Sequence, residues 1–331
     1  MNCGEKVLIT GCGGMLGSAI YPYFTLSYQN VVATDFRVNE TWLSYLDVRD
    51  ESALRSYFAD FRPTLVLHLA AETSLEYCEN HRDIAEDTNH LATATIARLC
   101  AEAGTTLVYI STAGVFDGKK EGLYTEEDAP NPIMTYGRTK YLGELAAQRL
   151  CDKTFVIRAG WMMGGGREKE KKFIYKILKQ LEAGRKEIFA VDDLWGTPTY
   201  TRDFAINLRA LLATRKYGTY HMVCEGTGTR HDVAREILAI CNRRDIKLTP
   251  VSSEFFSDEY FVIRPRSEMM SNSRLRQIGC NNMRPWRSAL REYIKECFPE
   301  CIQDMSGRRP EDNREGLEQK RHVLSLHTYN R

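Results

Sequence analysis

The chain has 331 residues, 43% hydrophobic and 27% charged, enough for one large or two small domains with a substantial core. Its 45 basic and 44 acidic residues leave a net charge of +1, which excludes a whole-protein field of the kind that holds nucleic acid or a membrane surface. No apolar run approaches the ~20 residues of a membrane span. A strand signal begins too close to the N-terminus to leave room for a signal peptide, so a cytoplasmic protein is expected.

The first apolar run, Val7-Leu8-Ile9-Thr10, predicts a buried strand. Gly11-Cys12-Gly13-Gly14-Met15-Leu16-Gly17 follows it, and Ser18-Ala19-Ile20 reads as the first turn of a helix. Strand, glycine turn and helix start in that order make a phosphate cradle. Gly11 permits the sharp turn, Gly14 lets a diphosphate meet bare backbone, and Gly17 lets the helix pack on the strand. The helix N-terminus then offers free N–H groups to the anion. The bland alternative is a tight turn and nothing more.

A second strand, 30–35, ends at Asp35, eighteen residues after Gly17. A carboxylate there accepts hydrogen bonds from the adenosine ribose and repels a 2′-phosphate, which favours NAD(H) over NADP(H). The alternative is a local turn cap. Arg37 works against that preference, since a guanidinium pairs with phosphate. A short strand follows at 42–46, with Asp47 and Val48 expected beside the adenine. A helix is predicted over 50–61 and an apolar strand over 64–69. Ala70 and Ala71 are small enough for a dinucleotide to pass close to the sheet edge. His68, inside that strand, reads as a core residue. Glu72, Glu76 and Glu79 read either as a solvated loop or as contacts to a sugar hydroxyl or cationic substrate.

Further on, the spacing predicts a long helix over 84–103, a strand over 105–111, a helix over 133–150 and a strand over 154–158. Continuous apolar strands alternating with helices mean a parallel sheet covered on both faces, an α/β doubly wound fold. Ser111 and Thr112 close the strand at its carboxyl edge, where such folds hold ligands. Ser111 reads as structural, whereas Thr112 can bind a substrate carbonyl. Tyr136 and Lys140, four apart, share one helix face. An ammonium beside the phenol would lower its ordinary value near 10 and let it trade protons near neutrality. Taken alone, the pair is a common surface pattern.

After residue 160 the rhythm changes. Helices are predicted over 171–183, 202–212, 231–241 and 285–297, with a strand over 218–223. The expected organisation is a dinucleotide-binding part over 1–160 with portions of 185–225, a smaller interleaved region over 161–300, and a polar extension over 301–331. Ten scattered cysteines with no CxxC pair read as reduced thiols. Cys297 and Cys301 with His322 and His327 match no zinc spacing, so no metal is expected.

The glycine loop, Thr112 and the Tyr136-Lys140 pair together resemble the extended short-chain dehydrogenase/reductases. Three longer segments resemble the dTDP-4-dehydrorhamnose reductases among them: Ser111-Thr112-Ala113-Gly114-Val115-Phe116-Asp117-Gly118, the run from Tyr124 to Pro132, and Tyr136 to Glu144. Gly196-Thr197-Pro198-Thr199, Arg264-Pro265 and Trp286 are similar to later markers, so the resemblance runs from residue 5 to about 297.

The resemblance implies Thr112, Tyr136 and Lys140 as the catalytic set. It implies Gly11, Gly13, Gly14, Met15, Leu16, Gly17, Asp35, Phe36, Arg37, Asp47, Val48, Leu69, Ala70 and Ala71 around the cofactor, with Tyr136 and Lys140 also touching it. Around the substrate it implies Thr73, Thr112, Ala113, Val115, Phe116, Trp161 and Arg264. The implied reaction is reduction of a 4-keto-6-deoxy nucleotide sugar by NAD(P)H, with Tyr136 as proton donor. Ala113-Gly114 stands where the family has Asp-Tyr, which opens the question of which sugar is bound and argues against dehydration. The alternatives are a nucleotide-sugar epimerase or dehydrogenase that retains NAD, and a non-catalytic NADP-binding regulatory subunit of the type that partners methionine adenosyltransferase. The family also admits a homodimer, with magnesium at its contact in some members; no acidic cluster here matches such a site.

Overall fold

In the computed structural model, which describes residues 4–303, a central parallel sheet runs through the molecule. Its strands are β1 (Lys6–Thr10), β2 (Asn30–Asp35), β3 (Leu43–Tyr45), β4 (Leu65–His68), β5 (Thr106–Thr112), β6 (Thr154–Ala159) and the edge strand Gly218–His221. Their spatial order is Gly218–His221, β6, β5, β4, β1, β2, β3, and every pairing is parallel. The order reverses between β1 and β4, which opens a crevice at their carboxyl ends.

The strands are apolar on both sides because both faces are covered. Val7, Ile9, Leu65, Leu67, Val108, Phe155 and Ile157 turn to one core, shared with Ile20 and Phe24 of helix α1 (Met15–Thr25). Leu8, Val66, Leu107, Tyr109 and Val156 turn to the other, shared with Leu54 and Phe58 of helix α2 (Glu51–Phe61) and Ile96 of the helix Ala92–Ala103. Alternation along each strand sorts the side chains, and each fully buried aliphatic contributes roughly 1.5–3 kcal/mol. Asp50 starts α2 by accepting the Ala53 N–H at 3.0 Å.

The long helix expected over 84–103 is interrupted. It comprises Arg82–Glu86, a π-helical turn Asp87–Leu91, and Ala92–Ala103. The wide turn carries the buried Asn89. Its side chain accepts from the Glu72 N–H at 2.9 Å and donates to the Thr139 hydroxyl at 3.1 Å. A regular helix gives no such polar anchor a place, and bulges of this kind gather at functional sites.

The remaining region is assembled from segments far apart in sequence. Trp161–Met163 pairs with Pro198–Tyr200, and Glu187–Val191 with Lys247–Val251. Trp195–Gly196 lies between Gly228–Thr229 and Ser267–Glu268. The expected helices are present as Phe173–Glu182, Thr201–Thr214, Arg230–Ile240 and Trp286–Cys297. Among the described residues no helix is long and apolar enough to cross a membrane. The extension from Ser306, with His322 and His327, and Cys3 lie outside the described residues.

Candidate active site

The turn after β1 is shaped by three close approaches. Gly11 has φ +69°, and a Cβ there would strike the backbone of Ala70 at the end of β4. A Cβ on Gly17 would strike the Cys12 carbonyl, so only glycine brings α1 this near the strand. Gly14, the N-cap of α1, has open space before it, its nearest neighbour being the Gly11 carbonyl at 3.7 Å. No side chain caps the helix, so its first N–H groups, starting at Met15 and Leu16, line a cradle that suits a diphosphate.

Asp35 is buried and binds backbone on both oxygens. Oδ2 accepts the Gly13 N–H at 2.9 Å, and Oδ1 accepts the Arg37 N–H at 3.0 Å. It therefore acts as a local cap at the rim of the loop. Phe36 is exposed, with the Arg37 guanidinium 5.0 Å from its ring centroid. Asp47 forms an ion pair with Arg49 at 2.5 Å, and this pairing holds its carboxyl below the usual range. Val48 is buried behind it in the second core. Leu69 and Ala71 are partly buried beyond β4. His68 is fully buried between the hydroxyls of Thr10 and Thr93, at 2.8 and 3.1 Å, and burial pushes it down to about 3.

A second glycine segment reaches this loop, which sequence reasoning missed. Gly165 lies against the Met15 backbone: a Cβ on it would stand 3.3 Å from the Met15 Cα. Nearby, Lys169 pairs with Glu40 at 2.9 Å. The signal was the run Gly164-Gly165-Gly166, all three with positive φ.

Thr112 ends β5, and its hydroxyl accepts the Gly114 N–H at 3.1 Å. The helix Thr135–Leu150 carries Tyr136 and Lys140. Gly137 allows that helix to press on the Gly114 carbonyl, and Gly143 allows it to press on the Tyr109 hydroxyl and the Asn89 carbonyl. These contacts hold the helix against the end of β5 and bring Tyr136 beside Thr112. Glu79 accepts the Thr135 N–H at 3.2 Å at the helix start. Below, Ser111 bonds Glu144 at 2.5 Å, and Glu144 pairs with Arg158 at 2.7 Å in a fully enclosed ion pair.

The electrostatics differ from the simple expectation that Lys140 lowers the Tyr136 phenol. Burial pushes the phenol up, reinforced by Cys78, Glu268 and Glu72, while the Thr112 hydroxyl pulls the other way. Lys140 is itself buried and is driven down to about 7, against the opposing pull of Glu144. Here desolvation outweighs attraction.

On the other side of the crevice, Trp161 lies flat on Gly196, where a Cβ would strike its indole. The Arg230 guanidinium stacks on the Trp161 ring at 3.8 Å and on Phe173 at 5.1 Å. It makes no hydrogen bond to a described residue, and nothing in the sequence singled it out. Arg264 pairs with Glu76 at 2.6 Å. Lys172 is exposed on this wall, close to the charges of Glu170 and Arg230. Glu72 holds the Ser74 N–H at 2.9 Å, so the loop glutamates are engaged within the protein rather than merely solvated. Thr73 is exposed on that loop. Ala113 is buried, and Val115 and Phe116 have no exposed surface. Those last two pack with Tyr124 and Met270, so they back the wall of the site and do not face it, contrary to their expected place around the substrate.

The chain matches the RmlD substrate binding domain family over residues 5–298. It is 31% identical over 291 residues to a dTDP-4-dehydrorhamnose reductase of Streptomyces griseus, 86% of this chain and 91% of that protein. It is also 31% identical over 297 residues to the methionine adenosyltransferase 2 subunit beta of Bos taurus, 88% of this chain and 87% of that one. Among solved structures, the dTDP-4-dehydrorhamnose reductase of Bacillus anthracis in complex with NADP superposes with a TM-score of 0.81 at 30% identity, covering 88% of this chain and 99% of that one. The doubly wound sheet, the glycine cradle and this match over nearly the whole described chain agree: the protein belongs to the RmlD substrate binding domain family.

Proposed function

We propose that the protein is an NAD(P)H-dependent reductase of a 4-keto-6-deoxy nucleotide sugar. The observation that carries this reading is the gathering of Thr112, Tyr136 and Lys140 at the carboxyl end of β5, in one crevice with the glycine cradle. The names of the relatives in Streptomyces griseus and Bacillus anthracis point the same way.

When bound, the nicotinamide dinucleotide supplies the hydride that adds to the carbonyl carbon. The chain's own residues do the rest. The α1 N-terminus and Gly14 hold the diphosphate, and Asp35 meets the adenosine ribose. Thr112 orients the carbonyl oxygen toward Tyr136. A phenol raised by burial stays protonated at neutral pH, so Tyr136 is poised as an acid, giving its proton to the oxygen as negative charge develops there. Lys140, down at about 7, holds or releases a proton around neutrality, and its ammonium form stabilises the phenolate left behind. Arg230, Arg264 and Lys172 supply positive charge on the sugar side, which suits a nucleotide diphosphate. Asp35 favours NADH as donor, with Arg37 the group that would accommodate NADPH.

The test is a screen of 4-keto nucleotide sugars that follows loss of reduced-nicotinamide absorbance. Turnover with a 4-keto-6-deoxy sugar is expected; no turnover with any of them overturns the reading. A second reading, a non-catalytic regulatory subunit, is favoured by the equal identity of the Bos taurus relative. The intact Thr112, Tyr136 and Lys140 weigh against it, and the same screen separates the two.

A further inference from the structure

Glu268 is a carboxylate that none of the chemistry above uses. It ends the short strand Ser267–Glu268, in register with Gly196, under the Trp161 indole. Its Oε2 accepts the Trp161 Nε1–H at 2.7 Å, which fixes the side chain in the crevice. Its Oε1 has no hydrogen-bond partner among the described residues. That oxygen points at the gap left by the missing side chain of Gly114. A Cβ built there would stand 3.6 Å from Glu268 Oε1 and 3.4 Å from Thr112 Oγ1. The negative charge of Glu268 is felt at the Tyr136 phenol, and the positive charges of Arg230 and Arg264 act on Glu268. The half-buried Glu268 thus keeps one acceptor oxygen beside the hydroxyl proposed to hold the substrate carbonyl.

We propose that Glu268 is a specificity-determining residue whose free oxygen accepts a hydrogen bond from the sugar hydroxyl next to the reacting carbonyl. The inference rests on the reductase reading. In an α-hydroxyketone the hydroxyl and the carbonyl oxygen sit side by side, as Oε1 and Thr112 Oγ1 do across the Gly114 gap. For a 4-keto-6-deoxyhexopyranose the only vicinal hydroxyl is the one on C3, because the oxygen on C5 closes the ring. A donor-to-carboxylate bond inside the crevice discriminates strongly against analogues that lack the donor.

The experiment compares a dTDP-4-keto-6-deoxyhexose with its 3-deoxy analogue, using wild type, Glu268→Gln and Glu268→Ala. Gln keeps an acceptor for Trp161, so its fold and indole position are preserved, and NADPH affinity serves as the check on both variants. Wild type should prefer the hydroxylated sugar by about 10–100-fold in kcat/KM, mostly through KM. Glu268→Ala should treat the two sugars within about twofold, and Glu268→Gln should fall between. Unchanged discrimination in Glu268→Ala, with wild type active, overturns the role of Glu268 and leaves the reductase reading standing. Wild type inactive on both sugars overturns both.

Discussion

The Lys140 ammonium stands 4.1 Å from the centroid of the Tyr109 ring, sealed beneath the Thr135–Leu150 helix. The ring face offers a cation some compensation, yet burial still drives the lysine down to about 7. Its folded value is thus below its ordinary value of 10.5. Below pH 7 both folded and unfolded chains carry the proton, and the fold bears the full cost of the buried charge. As pH rises from about 7 toward 10.5, the unfolded chain holds more protons and that cost fades. Lys140→Met should therefore exceed wild type in unfolding free energy by a few kcal/mol near pH 6, and the gap should narrow steadily toward pH 9. Urea unfolding across that range checks it; a gap independent of pH would contradict the assignment.

Tyr136→Phe removes the proposed proton donor and little else. Turnover should drop by about 10²–10⁴-fold, while the dissociation constant for NADPH stays within about twofold. Steady-state kinetics paired with a fluorescence titration read both quantities. Full activity in the variant would remove Tyr136 from the chemistry.

Asp35 should set the cofactor ratio. Wild type is expected to use NADH at least as well as NADPH, and Asp35→Asn should move the ratio of kcat/KM values toward NADPH by relieving repulsion of the 2′-phosphate. Both affinities should also weaken, because the carboxylate orders Gly13 and Arg37. A strong NADPH preference in wild type would show that Arg37 dominates.

Gly17→Ala tests the packing of α1. The added methyl has nowhere to go but into the Cys12 carbonyl. The variant should lose about 2–4 kcal/mol and bind dinucleotide poorly. Differential scanning calorimetry with and without NADPH measures both effects.

Breaking the enclosed pair under the site should cost more than a surface ion pair. Arg158→Met leaves Glu144 buried at 2% exposure without its cation, for an expected loss of about 3–5 kcal/mol. Chemical denaturation of the variant gives the value directly.

The sheet and the glycine cradle were legible because their signals are local. Val7 to Gly17 places strand, turn and helix within eleven consecutive residues, and burial on both faces makes the middle of each central strand a continuous apolar run. Thr112 and the Tyr136-Lys140 pair stood out for the same reason: they sit at element ends whose positions the pattern already specifies. The other wall of the crevice was illegible. Arg230 starts a helix and Glu268 ends a two-residue strand, and neither has any spacing to the catalytic pair that a sequence displays. Asn89 was hidden by an otherwise regular helical pattern, since a π turn leaves apolar periodicity nearly intact on either side. The sign of the Tyr136 shift was missed because desolvation depends on what covers a side chain, which no four-residue spacing reports.

The strand Gly218–His221 completes the edge of the central sheet beside β6, although it follows more than fifty residues of intervening chain. The nucleotide-binding half therefore has no single boundary at which it can be cut free. A fragment ending near residue 160 would present β6, all of whose residues are buried in the intact protein, as a bare apolar edge open to pairing with other chains. Exchanging the sugar-facing region with that of a relative would have to be done as two grafts, one between β6 and Gly218 and one after His221, leaving the strand between them in place.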